Sequence, residues 1–285
     1  THPAVREEYN YDHFHPRLFL EDAKLMANPD GVVPGDLAPD FELHDTEGNV
    51  WHLNSLRGRP VVLITGSATC PMTHGSVFAL KEVYREFGDL AHWFYLYVRE
   101  AHPGERLPAH RAHEQKVEQA QFFREDDQVP WPVLVDDIEG TVAHAYTKLP
   151  NALILIDAEG RVAFRGDMAH GPTLHRALEQ LVQQGGRGVV PEGDDSIPHM
   201  LATIAFGWDG VQRGGEVSTR DLWKGAPPMA ANLWLGNQMK PILAPLAGRG
   251  KPLPAGVKVA AGAVILGLLL SRRDSRRSRR DSAHA

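Results

Sequence analysis

The only cysteine of the chain, Cys70, stands in the run Gly66-Ser67-Ala68-Thr69-Cys70-Pro71. An apolar stretch, Val61-Val62-Leu63-Ile64, precedes it, and a helical pattern from Ser76 to Phe87 follows. A thiol at such a strand-to-helix junction meets first-turn N–H groups and the positive end of the helix dipole. Both favour thiolate, so Cys70 is expected to be a nucleophile with a lowered pKa. The plainer alternative is an inert buried thiol, a common state of free cysteine. With one cysteine there is no internal disulfide. A redox cycle through Cys70 therefore needs an external thiol reductant, a small thiol or a thioredoxin-like protein, and no bound cofactor is expected.

The hydroxyls of Ser67 and Thr69 can donate to a thiolate and stabilise its charged form, or can satisfy turn backbone groups. A polar loop from Arg99 to His113 carries His102, His110 and His113. In a chain with 15 histidines most are uninformative singly, but loops held by a rigid scaffold often carry binding groups. A histidine there can bind a phenolate or carboxylate, or deliver a proton near neutral pH. Glu100 reads either as the partner that orients a histidine or as a solvated strand-end charge. Tyr97 reads as a site residue or as core. No Cys or carboxylate pattern completes a zinc set with these histidines, so no metal site is expected.

The elements that must position these residues follow from periodicity and turn chemistry. A short helix is expected near Leu18–Met26. Phe41–Leu43 and Trp51–Leu53 flank a hairpin turn at Asp45–Gly48, and Val61–Ile64 is a buried strand. Trp93–Val98 is a third apolar strand, and Glu114–Phe123 a helix leading into Pro132–Val135. A helical turn at 138–145 precedes Leu149-Pro150-Asn151. Ala152–Ile156 and Val162–Phe164 bracket a turn at Asp157–Gly160, and a helix from Thr173 to Gln183 stops at Gly185-Gly186. Strands alternating with helices and closing on a hairpin imply an α/β fold with a mixed sheet.

Five segments are expected: a lead-in over 1–33, the α/β domain over 34–190, and a helical extension or connector over 191–252. A mostly apolar stretch follows at 253–271, and an Arg-rich tail at 272–285. The chain is 285 residues long with a net charge of −6. Residues 271–285 contribute +4, so the remainder carries −10, which argues against a nucleic-acid partner. No secretory signal opens the sequence, and residue 1 is Thr, which leaves room for a preceding segment. Leu253–Leu270, with Lys258 its single charge, is close to the length of a membrane span. Association with a membrane through this segment is expected, and a cytoplasmic location otherwise. The basic tail favours the cytoplasmic side for itself, so a true span would put the body across the membrane and require an export signal.

Pro34-Gly35-Asp36-Leu37-Ala38-Pro39-Asp40-Phe41 and Asn54–Leu63 resemble the opening and active-site approach of redoxin domains, the peroxiredoxin branch of the thioredoxin fold. Leu149-Pro150 is similar to their cis-proline segment. Gly66–Pro71 resembles the active site of the iodothyronine deiodinases, with Cys70 where selenocysteine normally stands. Tyr97-Val98-Arg99-Glu100-Ala101-His102-Pro103 and His110-Arg111 resemble further motifs of that family. The resemblance spans roughly residues 34–185. It implies a thioredoxin-like fold, a mixed sheet flanked by helices, with Cys70, Thr69, Ser67 and His110 catalytic and Tyr97, Glu100, His102 and Pro150 binding substrate. Thr73 occupies the place of the second cysteine of thioredoxins, which excludes a two-cysteine disulfide reductase. Asn151-Ala152 departs from the family's Glu-Arg, and the family's membrane segment is N-terminal rather than C-terminal.

The implied activity is thiol-dependent reductive deiodination of an iodothyronine-like aromatic. A single-cysteine thiol peroxidase acting on a peroxide is the alternative. For it, Ser67 lies at the right spacing, but Leu63 replaces the expected proline and no Trp-Asn-Phe segment is found. A non-catalytic, membrane-anchored thioredoxin-fold module is a third reading, and a homodimer is left open. A UGA codon at position 70 would mark a selenoprotein.

Overall fold

The computed structural model describes residues 9–27, 30–191, 193 and 196–252. The apolar stretch at 253–271 and the tail lie outside them. The described residues up to Lys251 form one compact unit. Its centre is a seven-stranded mixed sheet in the order β2-β1-β5-β4-β3-β6-β7. The strands are β1 (Glu42–Asp45), β2 (Val50–His52), β3 (Val61–Gly66), β4 (His92–Tyr97), β5 (Val133–Val135), β6 (Leu153–Ile156) and β7 (Val162–Gly166). β3, β4 and β5 run parallel, and β6, β7 and the β1–β2 hairpin are antiparallel to their neighbours. This is the thioredoxin-like mixed sheet flanked by helices that was expected.

β3 lies inside the sheet between β4 and β6, and every residue in it is buried. Alternation sends Val62 and Ile64 into the core on one face and Val61 and Leu63 into the core on the other, as a strand covered on both faces requires. Helices α1 (Pro16–Ala27), α2 (Pro71–Phe87), α3 (His113–Asp126), α4 (Thr141–Tyr146) and α5 (Gly171–Gln183) cover these faces. α2 starts a turn earlier than periodicity suggested. Pro71 at the first helical position has the φ a helix needs and lacks only an N–H that would be unpaired there.

The composition changes near residue 190, but compactness does not. Helices α6 (Ser196–Arg213), α7 (Glu216–Gly225), α8 (Pro227–Gln238) and α9 (Lys240–Ala247) follow, with α6 lying across α2. The two backbones approach closely at glycines. A Cβ on Gly75 would sit 3.0 Å from the Ala202 backbone, and one on Gly207 would sit 2.7 Å from Pro71 Cβ. Lead-in residues Tyr11, Phe14 and Leu18 share a third cluster with Trp208, Val211 and Leu222 of the extension. The two flanking segments are therefore one packed layer with the domain between them in sequence.

Candidate active site

Parallel strands place the residues that follow their carboxyl ends in one region, and this is where open α/β sheets build sites. The register pairs Gly66 with Tyr97, so the loops after β3 and β4 leave the sheet side by side. Gly66 is needed there: a Cβ would come within 2.8 Å of the Thr73 methyl. Cys70 is the N-cap of α2, in extended geometry, with its N–H donating to Ser67 O at 3.3 Å.

Glu100 joins the two loops. One carboxylate oxygen accepts the Thr69 N–H at 2.9 Å and the Thr69 hydroxyl at 2.5 Å, and the other accepts the Tyr97 hydroxyl. Thr69 Oγ1 in turn accepts the His102 N–H at 3.0 Å, and Ser67 Oγ accepts the Ala101 N–H at 3.3 Å. Glu100 is buried, not a solvated strand-end charge. Burial pushes its carboxyl pKa up, against the hydrogen bonds from Thr69 and Tyr97. Tyr97 is held well above its usual range by burial and by Glu100.

These contacts reassign the hydroxyls near the thiol. Thr69 donates its hydroxyl to Glu100, and Ser67 Oγ accepts from the Ala101 N–H of the neighbouring loop. The groups that favour the charged form of the thiol are instead the Thr73 hydroxyl and the backbone N–H groups of Thr73 and Met72 in the first turn of α2. Asn151 Nδ2 donates to Thr73 Oγ1 at 3.3 Å, which ties the segment after β5 to the same point. The expected lowered thiol pKa is overturned. Cys70 is only 1% exposed, and burial pushes its thiol up despite the helix N-terminus and these donors. Loss of solvation outweighs the dipole when water is absent.

The histidines differ from expectation for the same reason. His110 Nε2 lies 3.0 Å from Gln119 Oε1 and 3.9 Å from Glu100. Burial, with Lys116 nearby, lowers its pKa to about 3. The His102 ring packs on Phe14 with centroids 4.4 Å apart, and burial and Arg99 lower it to about 3. Neither titrates near neutral pH in this geometry. Pro150 sits half-buried in the turn before Asn151. The described residues contain no cis peptide bond, so the Leu149–Pro150 bond is trans, not cis as expected.

Two groups went unseen in the sequence. Arg213, at the end of α6, forms a double hydrogen bond to Asp127 at 2.7 and 2.8 Å and donates to Ala68 O at 3.3 Å. Asp127 also meets His74 Nδ1 at 2.8 Å. Although burial raises it, Arg213 and His74 hold the Asp127 carboxyl down at about 2. On the lead-in side, Arg99 donates to Tyr11 OH at 2.7 Å and stacks over the Tyr11 ring. It also lines a cleft of about 390 Å³ with Tyr9, Leu18, Asp22, Leu25 and His144. Arg99, Asp22 and Tyr11 are in electrostatic reach of Cys70. No signal in the sequence pairs these residues, because their partners are far apart in the chain. Among the described residues no group of three or more His, Cys, Asp or Glu is placed to hold a metal ion.

Residues 34–165 match the AhpC/TSA family. Over 178 residues the chain is 24% identical to a type I iodothyronine deiodinase of Xenopus laevis, covering 56% of this chain and 70% of that protein. A thyroxine 5-deiodinase of Sparus aurata is 28% identical over 158 residues, or 51% of this chain and 57% of that one. Among solved structures, the thioredoxin domain of a thiol-disulfide oxidoreductase from Bacteroides vulgatus is 21% identical, with a TM-score of 0.40 over 53% of this chain and 99% of that chain.

Proposed function

We propose that this deiodinase-like protein of the thioredoxin fold is a thiol-dependent oxidoreductase that removes iodine from iodothyronine-like aromatics, with Cys70 as nucleophile. One observation carries the reading. Cys70 stands at the N-terminus of α2, directly after the parallel strand β3, beside a buried Glu100–Tyr97–Thr69 hydrogen-bond network. The deiodinase relatives support the substrate class.

The Cys70 thiolate attacks iodine along the C–I axis. An S–I bond forms, the C–I bond breaks, and its electron pair stays on the aromatic carbon, which takes a proton. The Tyr97 hydroxyl and Glu100 hold the hydrogen-bonded path along which the proton reaches the site, and His110 positions the network from its edge. An external thiol then attacks the sulfenyl iodide, giving a mixed disulfide and hydrogen iodide. A second thiol releases Cys70 and a disulfide. Carbon is reduced and the two external thiols are oxidised. Substrate enters by the cleft beside Arg99 and Asp22, whose opposite charges suit the carboxylate and ammonium of an amino acid. Chemistry takes place when the contact of α6 over Cys70 opens. Residues 253–271 anchor the protein at a membrane; among the described residues no helix is long and apolar enough to cross one.

The AhpC/TSA match favours a second reading, in which the thiolate attacks a peroxide O–O bond and the resulting sulfenic acid is reduced by external thiol. Iodide release from an iodothyronine and peroxide consumption, each with dithiothreitol, separate the two. Iodide release lost at least 1000-fold in Cys70→Ser is the expected result. Faster peroxide consumption, equally dependent on Cys70, selects the second reading. Full activity in Cys70→Ser overturns both readings of Cys70, and neither activity in the native protein overturns both and leaves the non-catalytic module.

A further inference from the structure

We propose that the outer face of α8 and α9 docks on an anionic lipid surface, an inference independent of the chemistry assigned to Cys70. Leu235, Met239, Ile242 and Leu246 recur at helical spacing and form one stripe across the junction of the two helices. Trp234 lies beside it. Their exposures run from 42% at Met239 to 71% at Ile242. The inner side of the same helices is ordinary core, with Leu233 and Ala247 buried against α6. A contiguous apolar stripe left in water marks an interaction surface.

Charge and chain continuity select the occupant. From Leu222 to Arg273 the sequence has no Asp or Glu and seven Lys or Arg, in a chain whose net charge is −6. Lys240 and Lys251 pair with Asp209 and Glu86 of other helices, while Arg249 is exposed. The chain leaves the stripe at Ala247 and enters the apolar sequence Leu253–Leu270, followed by six arginines in the tail. Large apolar side chains, a tryptophan at their margin, and the exposed Arg249 with the arginines that follow in sequence match the acyl boundary, interface and anionic headgroups in turn. A second copy fits less well, because this face offers no acid to meet another copy's Arg249.

The test uses the full chain with Cys70→Ser and a single new cysteine, Ile242→Cys on the stripe or Val50→Cys on edge strand β2. Each carries a polarity-sensitive fluorophore, quenched by aqueous iodide. Adding phosphatidylcholine vesicles containing phosphatidylserine is expected to cut quenching at 242 at least threefold. Phosphatidylcholine alone gives a smaller change, and the label at 50 is unaffected. Equal quenching with and without vesicles overturns the proposal. So does protection already present before vesicles are added, which means that 253–270 covers the stripe. Protection that rises with protein concentration alone also overturns it, in favour of a second copy. Repeating the measurement with Leu235→Cys in the chain that keeps the buried Cys70 guards against a folding defect of the serine variant.

Discussion

Two segments outside the α/β domain complete the surroundings of Cys70, and they do so by opposite means. The lead-in contributes charge and an opening. Tyr9, Tyr11 and Asp22 surround the buried Arg99, and a cleft of about 390 Å³ remains beside them. The extension contributes closure. Gly207 and Gly210 let the α6 backbone lie on Pro71 and Cys70, and Arg213 ties it to Asp127 and to the Ala68 carbonyl. Under the proposed function, a thiol that a substrate reaches and that is otherwise kept dry needs both kinds of wall. The difference suggests that ligand arrives on the lead-in side and that reactivity is released by movement of α6.

Acid should separate the two regions most strongly. His102, His110 and His199 are buried with pKa values lowered to about 3. Below about 6.5 the unfolded chain protonates them and the folded chain does not, so the unfolded state holds more protons and stability falls as pH falls, down to about 3. Each histidine contributes about 1.4 kcal/mol per pH unit in that window. Urea midpoints measured from pH 7 to 4 should drop steeply, and His199→Asn should flatten the profile by removing the extension's share. A flat native profile would contradict the burial of these rings as neutral groups.

Arg213→Met comes next. It leaves Asp127 buried with His74 alone and should cost about 3–5 kcal/mol. Alkylation of Cys70 by iodoacetamide should rise at least tenfold. Lost stability with unchanged alkylation would mean that the extension supports the fold without gating the thiol. The smallest effect is expected on the other wall. Tyr11→Phe removes the hydroxyl that donates to Ala101 O and accepts from Arg99, at about 1–2 kcal/mol, with no change in Cys70 alkylation. If that variant frees the thiol and Arg213→Met does not, the open and closed walls are assigned the wrong way round.

Much of the domain was legible from residue order. The apolar run Val61–Ile64 could only be a strand buried on both faces, and the turn residues at Asp45–Gly48 and Asp157–Gly160 set the hairpins beside it. Cys70 was placed at its junction by the same logic. The hydroxyl assignments were not legible: Thr69 and Thr73 differ little in sequence context, and only the register of β3 against β4 decides which one faces Glu100. The latch was equally hidden. Arg213 and Ala68 are 145 residues apart, and Tyr11 and Ala101 are 90 apart. Periodicity reports which face of a helix is apolar, but not which distant helix covers it.

The sequence by itself determined that this is an α/β domain with one cysteine after a central strand, because patterning and turn chemistry are local. It also determined that any redox cycle must finish on another molecule, because one cysteine has no partner. Only the tertiary structure decided the state of that cysteine. The helix N-terminus favours thiolate, yet packing α6 over the loop removes the water that thiolate needs, and desolvation is the larger effect. The electrostatic character of Cys70 is therefore a balance between the Met72 and Thr73 donors beside it and the burial that the folded chain imposes.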